Sequence, residues 1–351
     1  MAAPQTIPDF DDLPKVEGMP QGCAWGIFDK DGEKDVYGTL NLLTPDVVAA
    51  AATEVKEGIS VSLNWPLNGF PFPIPGRKAP VHTVTPLKDV GYGADGWDDE
   101  LAFNTQLSSQ WDSLCHFHHQ DSGLAYNGAR PTRASLTDPA AAAAAEHQSV
   151  LPTIDKWHAR GGLVGRGVLL DFARYADEVL SQQDGTKQTS YHPADGYRIT
   201  VADLEAVAAW QGVEFRRGDI VVIRTAYTEV MAAPTPDDFA RMQKVRLSGV
   251  HGTEETARWF WDRRFAAVAG DSASFEAFPP LRPDGSEGEM SDLVLHKYFL
   301  AMFGMPIGEL WDLKALSEQC KRLGRYSFML TSVPLNHHGL VASPPNALAI
   351  F

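Results

Sequence analysis

The chain has 351 residues, 44% of them apolar and 21% charged, with a formal net charge of −15. That is the composition of a soluble globular protein long enough for one large or two ordinary domains. The acidic balance argues against a nucleic-acid backbone or an anionic membrane as partner. Cys23, Cys115 and Cys320 are odd in number and far apart, so they build neither a disulfide framework nor a CxxC zinc motif, and a reducing cytoplasm fits best. No stretch approaches the apolar length of a membrane span, and the first residues lack the apolar core of a signal peptide.

In chain order, residues 1–24 read as an extended, mobile, proline-punctuated arm that could reach a partner, and residues 25–351 as a single α/β domain. Thr44-Pro45 opens an Ala/Val helix that Gly58 closes, and ISVSLNWPL alternates as a strand. Residues 66–98 are rich in loop signals and are expected to wrap over a neighbouring edge or site. A strand over QLSSQWD follows, then a short Ala helix over Pro139–His147 and another helical piece over SVLPTIDKWHARGG. VLLDF is a buried strand ending at Asp171, residues 180–198 a polar insertion, and ITVADLEAVAAWQGV a helix capped by Thr200. DIVVIRTAY and AAVAGDS are buried strands separated by a helix that starts at Thr253. A helix capped by Ser291 and closed by Gly304, a short strand with a helix over PIGELWDLKALSEQC, and a strand over YSFMLTSVPL complete the pattern. Strands alternating with helices, some of them linked by hairpins or loops, give a mixed sheet with flanking helices.

The stretch QLSSQWDSLCHFHHQDSGLAYN, Gln106 to Asn127, carries the densest chemistry. Gln106, Ser108, Gln110, Asp112 and His116 are separated by even numbers, so an extended segment would present them on one face. A polar strand face of this kind lines a cavity or ligand, or is simply the solvated side of a sheet. Two later residues join the argument. His296 lies in a helical stretch and Glu309 follows Gly308; singly, each also reads as an ordinary packed histidine and a first-turn acid.

These residues resemble the cyclase family of hydrolases, typified by kynurenine formamidase and isatin hydrolase. The family motif HxGTHxDxPxH falls on Gln106-Leu107-Ser108-Ser109-Gln110-Trp111-Asp112-Ser113-Leu114-Cys115-His116, and GTLNLLTPDVV, GRGVLLDF, GDIVVIRTAY, VAGDSAS and SVPLNHHGLVASPP look like further family blocks. The resemblance spans roughly residues 25–351, is closest to a long-chain branch with QxSSQWDxxxH, and implies a swivelling β/β/α-type fold. It also implies a divalent-metal site at Gln106, Gln110, Asp112, His296 and Glu309, with His116 as general acid/base and Asp112 beside it. Both leading motif histidines are glutamine here. That leaves an oxygen-rich set, so one Mn²⁺ or Zn²⁺ is expected, with Mg²⁺ and Ca²⁺ as alternatives.

The activity implied is hydrolysis of a small amide, cyclic imide or lactone, in a homo-oligomer (dimer or tetramer). Ser109, Trp111, Tyr126 and Asn127 are the expected substrate contacts, with Trp97 and Phe117 as further aromatic walls; without metal, Gln106, Gln110 and Ser109 would donate to a developing oxyanion. Two other readings stay open. One is a metal-free lyase, dehydratase or cyclising enzyme using His116, and the other a catalytically silent binding protein.

Overall fold

The apolar run that begins at Leu163 is the centre of the sheet. In the computed structural model, which describes residues 6–74, 76–144, 150–183 and 191–351, thirteen strands are present among the described residues. They are β1 (Ser60–Ser62), β2 (Val81–Pro86), β3 (Trp97–Ala102), β4 (Gln110–Asp112), β5 (Leu163–Asp171), β6 (Arg198–Ile199) and β7 (Ile220–Arg224). The rest are β8 (Gly249–Val250), β9 (Ala267–Gly270), β10 (Ile307–Glu309), β11 (Ser327–Ser332), β12 (Ala342–Ser343) and β13 (Ala347–Ile350). Nine of them form one mixed sheet in the order β1-β13-β11-β5-β7-β9-β10-β4-β12.

Its middle, β5-β7-β9-β10, is parallel. Parallel neighbours need long crossovers, and helical segments supply them: Val201–Gln211 precedes β7, Glu254–Asp262 precedes β9, and Val294–Phe303 precedes β10. With both faces covered, these strands are apolar on both sides: Val168, Leu169, Leu170 and Val221, Val222 are fully buried. Each such side chain contributes roughly 1.5–3 kcal/mol by leaving water. The antiparallel flanks carry the alternation instead, as in β11, where Phe328 and Leu330 are buried between half-buried neighbours.

Several boundaries move from their sequence-based positions for identifiable reasons. Thr44 caps the first helix through Val47 N–H, but the helix stops at Ala52, not Gly58. Glu54 is buried there and pairs with Arg166 and Arg325, which pulls the chain out of helical register. Thr200 and Thr253 cap as expected, Thr200 within a reciprocal box with Asp203. Ser291 does not cap; it lies inside a short 3₁₀ turn, and the following helix widens to π geometry over Lys297–Phe303 before ending at left-handed Gly304. Within residues 66–98, β2 forms with β3 an exposed antiparallel hairpin outside the main sheet. The Ala helix is described over Pro139–Ala144; its expected end, and residues 184–190 of the polar insertion, lie outside the described residues.

The N-terminal segment, from Ile7 onward, is docked on its own chain. Phe10 is fully buried, stands edge-on to Phe303 at 6.1 Å and accepts the Arg258 guanidinium over its ring at 4.4 Å. Phe10 N–H donates to Asp262 and the Pro8 carbonyl accepts from the Trp261 indole. Phe10→Ala is expected to destabilise the protein by about 3–5 kcal/mol, the usual cost of emptying a buried aromatic site. Urea unfolding measures it; a change below about 1 kcal/mol would mean that the segment is not held this way.

Candidate functional site

The pairing of β4 with β10 assembles the centre. In that antiparallel register Gln110 lies opposite Glu309, Trp111 opposite Gly308 and Asp112 opposite Ile307. Directly opposed residues share a sheet face, and residues two apart share it too, so Gln110, Asp112 and Glu309 point to one side. Gly308 is required by what lies on the other side. A Cβ there would sit 2.7 Å from Ala269 Cβ and 2.8 Å from the Trp311 indole nitrogen, which donates to the Gln110 carbonyl. Immediately after Glu309 the chain turns through Leu310 at φ 55°, a left-handed conformation held by Leu310 N–H to Ser272 O and Trp311 N–H to Gly270 O.

His296 arrives from the opposite side. It is the last α-helical residue before the π-helical turns, and a ligand-bearing position at such a widening is a recurrent arrangement. Glu276, fully buried, fixes it. One carboxylate oxygen accepts from His296 N–H at 2.8 Å and meets Nδ1 at 2.9 Å; the other accepts from Val294 N–H at 3.0 Å. Glu276 thus satisfies orphan donors at the helix start and orients the ring, leaving Nε2 3.2 Å from Glu309 Oε1. Gly252 leaves room for that carboxylate, since a Cβ would fall 2.3 Å from Glu276 Oε2. Burial pulls the His296 pKa down, but Glu276 and Glu309 outweigh it and push it up to about 10. Glu309 is raised, first by burial and then by the Asp112 charge, with His296 opposing.

Ligand atoms of Asp112, His296 and Glu309 lie within 4.8 Å of one another, all buried. Three oxygens of the cluster, Gln110 Oε1, Asp112 Oδ2 and Glu309 Oε1, accept no hydrogen bond. Gln110 Nε2 is already committed, donating to Glu309 Oε2 at 2.8 Å and Gln106 Oε1 at 2.9 Å.

Gln106 joins this cluster by a different route from the expected one. The strand is only Gln110–Asp112; residues 105–109 form turns and bends. The Asn104 side chain accepts Gln106 N–H, and the Ser108 and Ser109 hydroxyls bond to the backbone of Trp65 and Pro66. Side chain-to-backbone bonds of this kind compete with a strand ladder. Gln106 therefore bridges: its oxygen accepts from Gln110, and its amide donates to Asp112 and faces His116 Nδ1 at 3.4 Å. His116, half-buried after a turn at Ser113, has its pKa lowered by burial against the opposing pull of Asp112. Its Nε2 has no hydrogen-bond partner among the described residues.

Other expected contacts lie elsewhere. The Ser109 hydroxyl accepts Trp65 N–H and makes no hydrogen bond to the cluster among the described residues. Trp111 is fully buried on the far sheet face, 4.9 Å from Trp311 and 5.9 Å from Trp157, with its indole on Ser332. Tyr126 and Asn127 are buried against Asp35 and Asp29. Trp97 is 72% exposed on β3. Phe117 does reach the cluster, packing edge-on to His296 at 5.5 Å. His119, His337 and His338 bond to a serine hydroxyl or backbone carbonyls. Cys115 is buried beside Ala125 and Leu151, which raises its thiol pKa. Sequence reading missed Glu276; its only signal was an acid set among Phe275, Ala277 and Phe278.

This architecture has known relatives. Residues 43–277 match the family model described as "Putative cyclase", and the chain belongs to the cyclase family. A crystal structure of a novel cyclase superposes with a TM-score of 0.72 at 29% identity, covering 94% of this chain and 99% of that one. Isatin hydrolase A from Labrenzia aggregata, bound to benzyl benzoate, gives a TM-score of 0.54 at 14% identity over 89% of this chain and 98% of that one. An isatin hydrolase bound to the product analogue thioisatinate gives 0.53 at 13% identity over 85% and 93%. These last two likenesses are of fold. No sequence relative among curated proteins matches. Among the described residues no helix is long and apolar enough to cross a membrane.

Trp111→Ala separates a core residue from a pocket wall. The expected outcome is a loss of about 3–5 kcal/mol in urea unfolding. A variant of unchanged stability would place Trp111 at a ligand surface instead.

Proposed function

We propose that the protein is a hydrolase of a small amide, cyclic imide or lactone, working with one divalent cation and with His116 as general acid/base. The observation that carries this reading is a set of buried oxygens short of donors: Gln110 Oε1 and Asp112 Oδ2 accept no hydrogen bond, and Glu309 Oε1 faces only His296 Nε2, 3.2 Å away. A buried acceptor without a donor costs about 1–3 kcal/mol, and more when charged. Such a cluster is stable when something positive occupies it.

The donor chemistry fits a divalent cation. Asp112, Glu309 and His296 would hold it, with Gln110 as a neutral fourth oxygen and Gln106 as the bridge that orients Gln110 and Asp112. One imidazole among oxygens suits Mn²⁺ and tolerates Zn²⁺; Mg²⁺ and Ca²⁺ accept the oxygens but gain little from the nitrogen. Glu276 behind His296 Nδ1 is the carboxylate–histidine arrangement that fixes a ligand's tautomer. A bound dication would polarise the scissile carbonyl or lower the pKa of a water. The chain supplies the proton handling. Burial favours neutral His116, Gln106 steadies its Nδ1 side, and the imidazole takes a proton from the attacking water and returns it to the leaving group. The neighbours named as isatin hydrolases support hydrolysis as the reaction class.

Elemental analysis by plasma mass spectrometry, before and after chelator dialysis, is the direct test. The expected result is about one Mn or Zn per chain, stripped by chelator, lost in Asp112→Asn and Glu309→Gln, and raising the melting temperature when restored. His116→Ala should keep the metal while turnover on an amide and lactone panel falls about 10²–10⁴-fold. Metal far below that level, with no thermal shift on adding Mn²⁺, Zn²⁺ or Mg²⁺, overturns the metal reading. The metal-free acid/base alternative would then have to account for the site.

Glu276→Gln tests the orienting carboxylate. Metal affinity should drop about 10–100-fold with the metal-saturated fold retained, as read by calorimetric titration. Unchanged affinity would show that His296 needs no such partner.

A further inference from the structure

Beside the polar cluster lies a cavity of about 330 Å³, at the small end of ligand-sized pockets. It is formed by the loop that follows Trp65, together with Leu107, the residue after Gln106. Phe70, Phe72, Ile74 and Leu107 give it apolar walls; Asn68 and Arg77 are its polar groups. An aromatic run leads from the protein interior to its rim: Trp65 to Phe70 at 5.1 Å, Phe70 to Phe72 at 6.0 Å, and Phe72 to Phe239 at 6.2 Å. Phe72 and Phe239 are 36% and 39% exposed, so the apolar surface opens to solvent.

Arg77 stands where the cavity meets the cluster. Its guanidinium donates through Nη1 to the Gln106 carbonyl, while the side chain of that same Gln106 bonds to Asp112 and faces His116. The Arg77 charge is felt at both His116 and Glu309. Apart from the Gln106 carbonyl it has no hydrogen-bond partner, and no carboxylate pairs with it among the described residues. Arg166, Arg224 and Arg174 are neutralised by acids, whereas Arg160 and Arg198, like Arg77, bond backbone carbonyls, and of these three Arg77 is the one that lines the cavity. A guanidinium keeps a planar fork of donors suited to a carboxylate. In a chain of net charge −15, Arg77 is a local cation that favours an anionic group in this cavity.

We infer that Arg77 is the anion-binding group of this cavity, and that the substrate carries its own carboxylate on an apolar, aryl-sized body seated against Phe70 and Phe72. The identity of the bond cleaved rests on the hydrolase reading above; the binding of an aryl carboxylate does not.

The test uses two ligands with no cleavable bond, 3-phenylpropionate and its neutral match 3-phenyl-1-propanol, titrated calorimetrically into the full-length protein. Wild type should prefer the carboxylate by about 10–100-fold, the range of a charge-assisted bond. Arg77→Gln should abolish that preference while leaving the alcohol's affinity and the melting temperature unchanged. Phe72→Ala should weaken both ligands together. Equal binding of the two ligands by wild type, no binding of either, or a preference that survives Arg77→Gln would each overturn the inference, the last by placing the carboxylate on another group. Metal content and the turnover of His116→Ala judge the hydrolase reading without these ligands, so either idea fails separately.

Discussion

The candidate site depends on the antiparallel register between two three-residue strands. Because Gln110 is opposite Glu309, the two side chains bond to each other directly, and the two-residue period then delivers Asp112 to the same face. A shift by one residue would exchange that face with the one holding Trp111. The register is strongly specified for the same reason: Trp111 must pack over Gly308 and between Trp157 and Trp311. The apolar face thus fixes the polar one. The pairing also joins chain regions about two hundred residues apart, so the centre exists only once the parallel core has delivered β10.

Why the centre sits on β10 follows from how the neighbouring strands end. In open parallel sheets, ligands gather beyond the carboxyl ends of the strands. Here those ends are closed by mutual pairing. Asp171 at the end of β5 accepts from Arg224 at 2.7 Å and from Ser317 at 2.5 Å, and Arg224 at the end of β7 also donates to Glu229 at 2.7 Å. Asp271, just past β9, accepts from Thr225 and Ala226 N–H at 2.6 and 2.7 Å. These carboxylates are satisfied, and buried polar groups in that condition rigidify a structure without inviting a ligand. Glu309, at the end of β10, is the exception: its Oε1 faces only His296 Nε2, 3.2 Å away.

The elements of the parallel core were legible because burial on both faces leaves continuous apolar runs, and capping threonines mark the helix starts. Gln110 and Asp112 were legible from their two-residue spacing. Gln106 was placed with them for the wrong reason: it bridges from a turn whose determinants, Asn104, Ser108 and Ser109, are too generic to read as a turn beforehand. Trp111, Tyr126 and Asn127 show the converse limit. Aromatic and amide side chains next to a reactive motif look alike whether they face a ligand or the core, and only the sheet face or a buried partner such as Asp35 decides. The β2–β3 hairpin carries no apolar/polar alternation, since its strands are largely exposed, and Pro and Gly surround it. Glu276 lay in no periodic element at all, so its role became visible only with His296 above it.

Charge balance ties these observations together. Asp112, Glu309 and Glu276 are all buried around one imidazole, and burial together with the Asp112 charge makes Glu309 harder to ionise. Without a cation, the raised pKa of His296 favours a proton on the ring between Glu276 and Glu309, and that charge opposes the effect of Asp112 on Glu309. A cation among Asp112, Glu309 and His296 would be held by Nε2 and the two carboxylates, with Nδ1 still facing Glu276, and would offset the repulsion between Asp112 and Glu309. Glutamines at Gln106 and Gln110, where the resemblance aligns motif histidines, change this balance less than their lack of an imidazole suggests. A glutamine adds no charge, but its amide can donate to a carboxylate where a metal-bound imidazole nitrogen cannot. Gln110 uses that ability on Glu309 and Gln106 uses it on Asp112, so the two glutamines hold the anionic oxygens in position whether or not either one touches a metal.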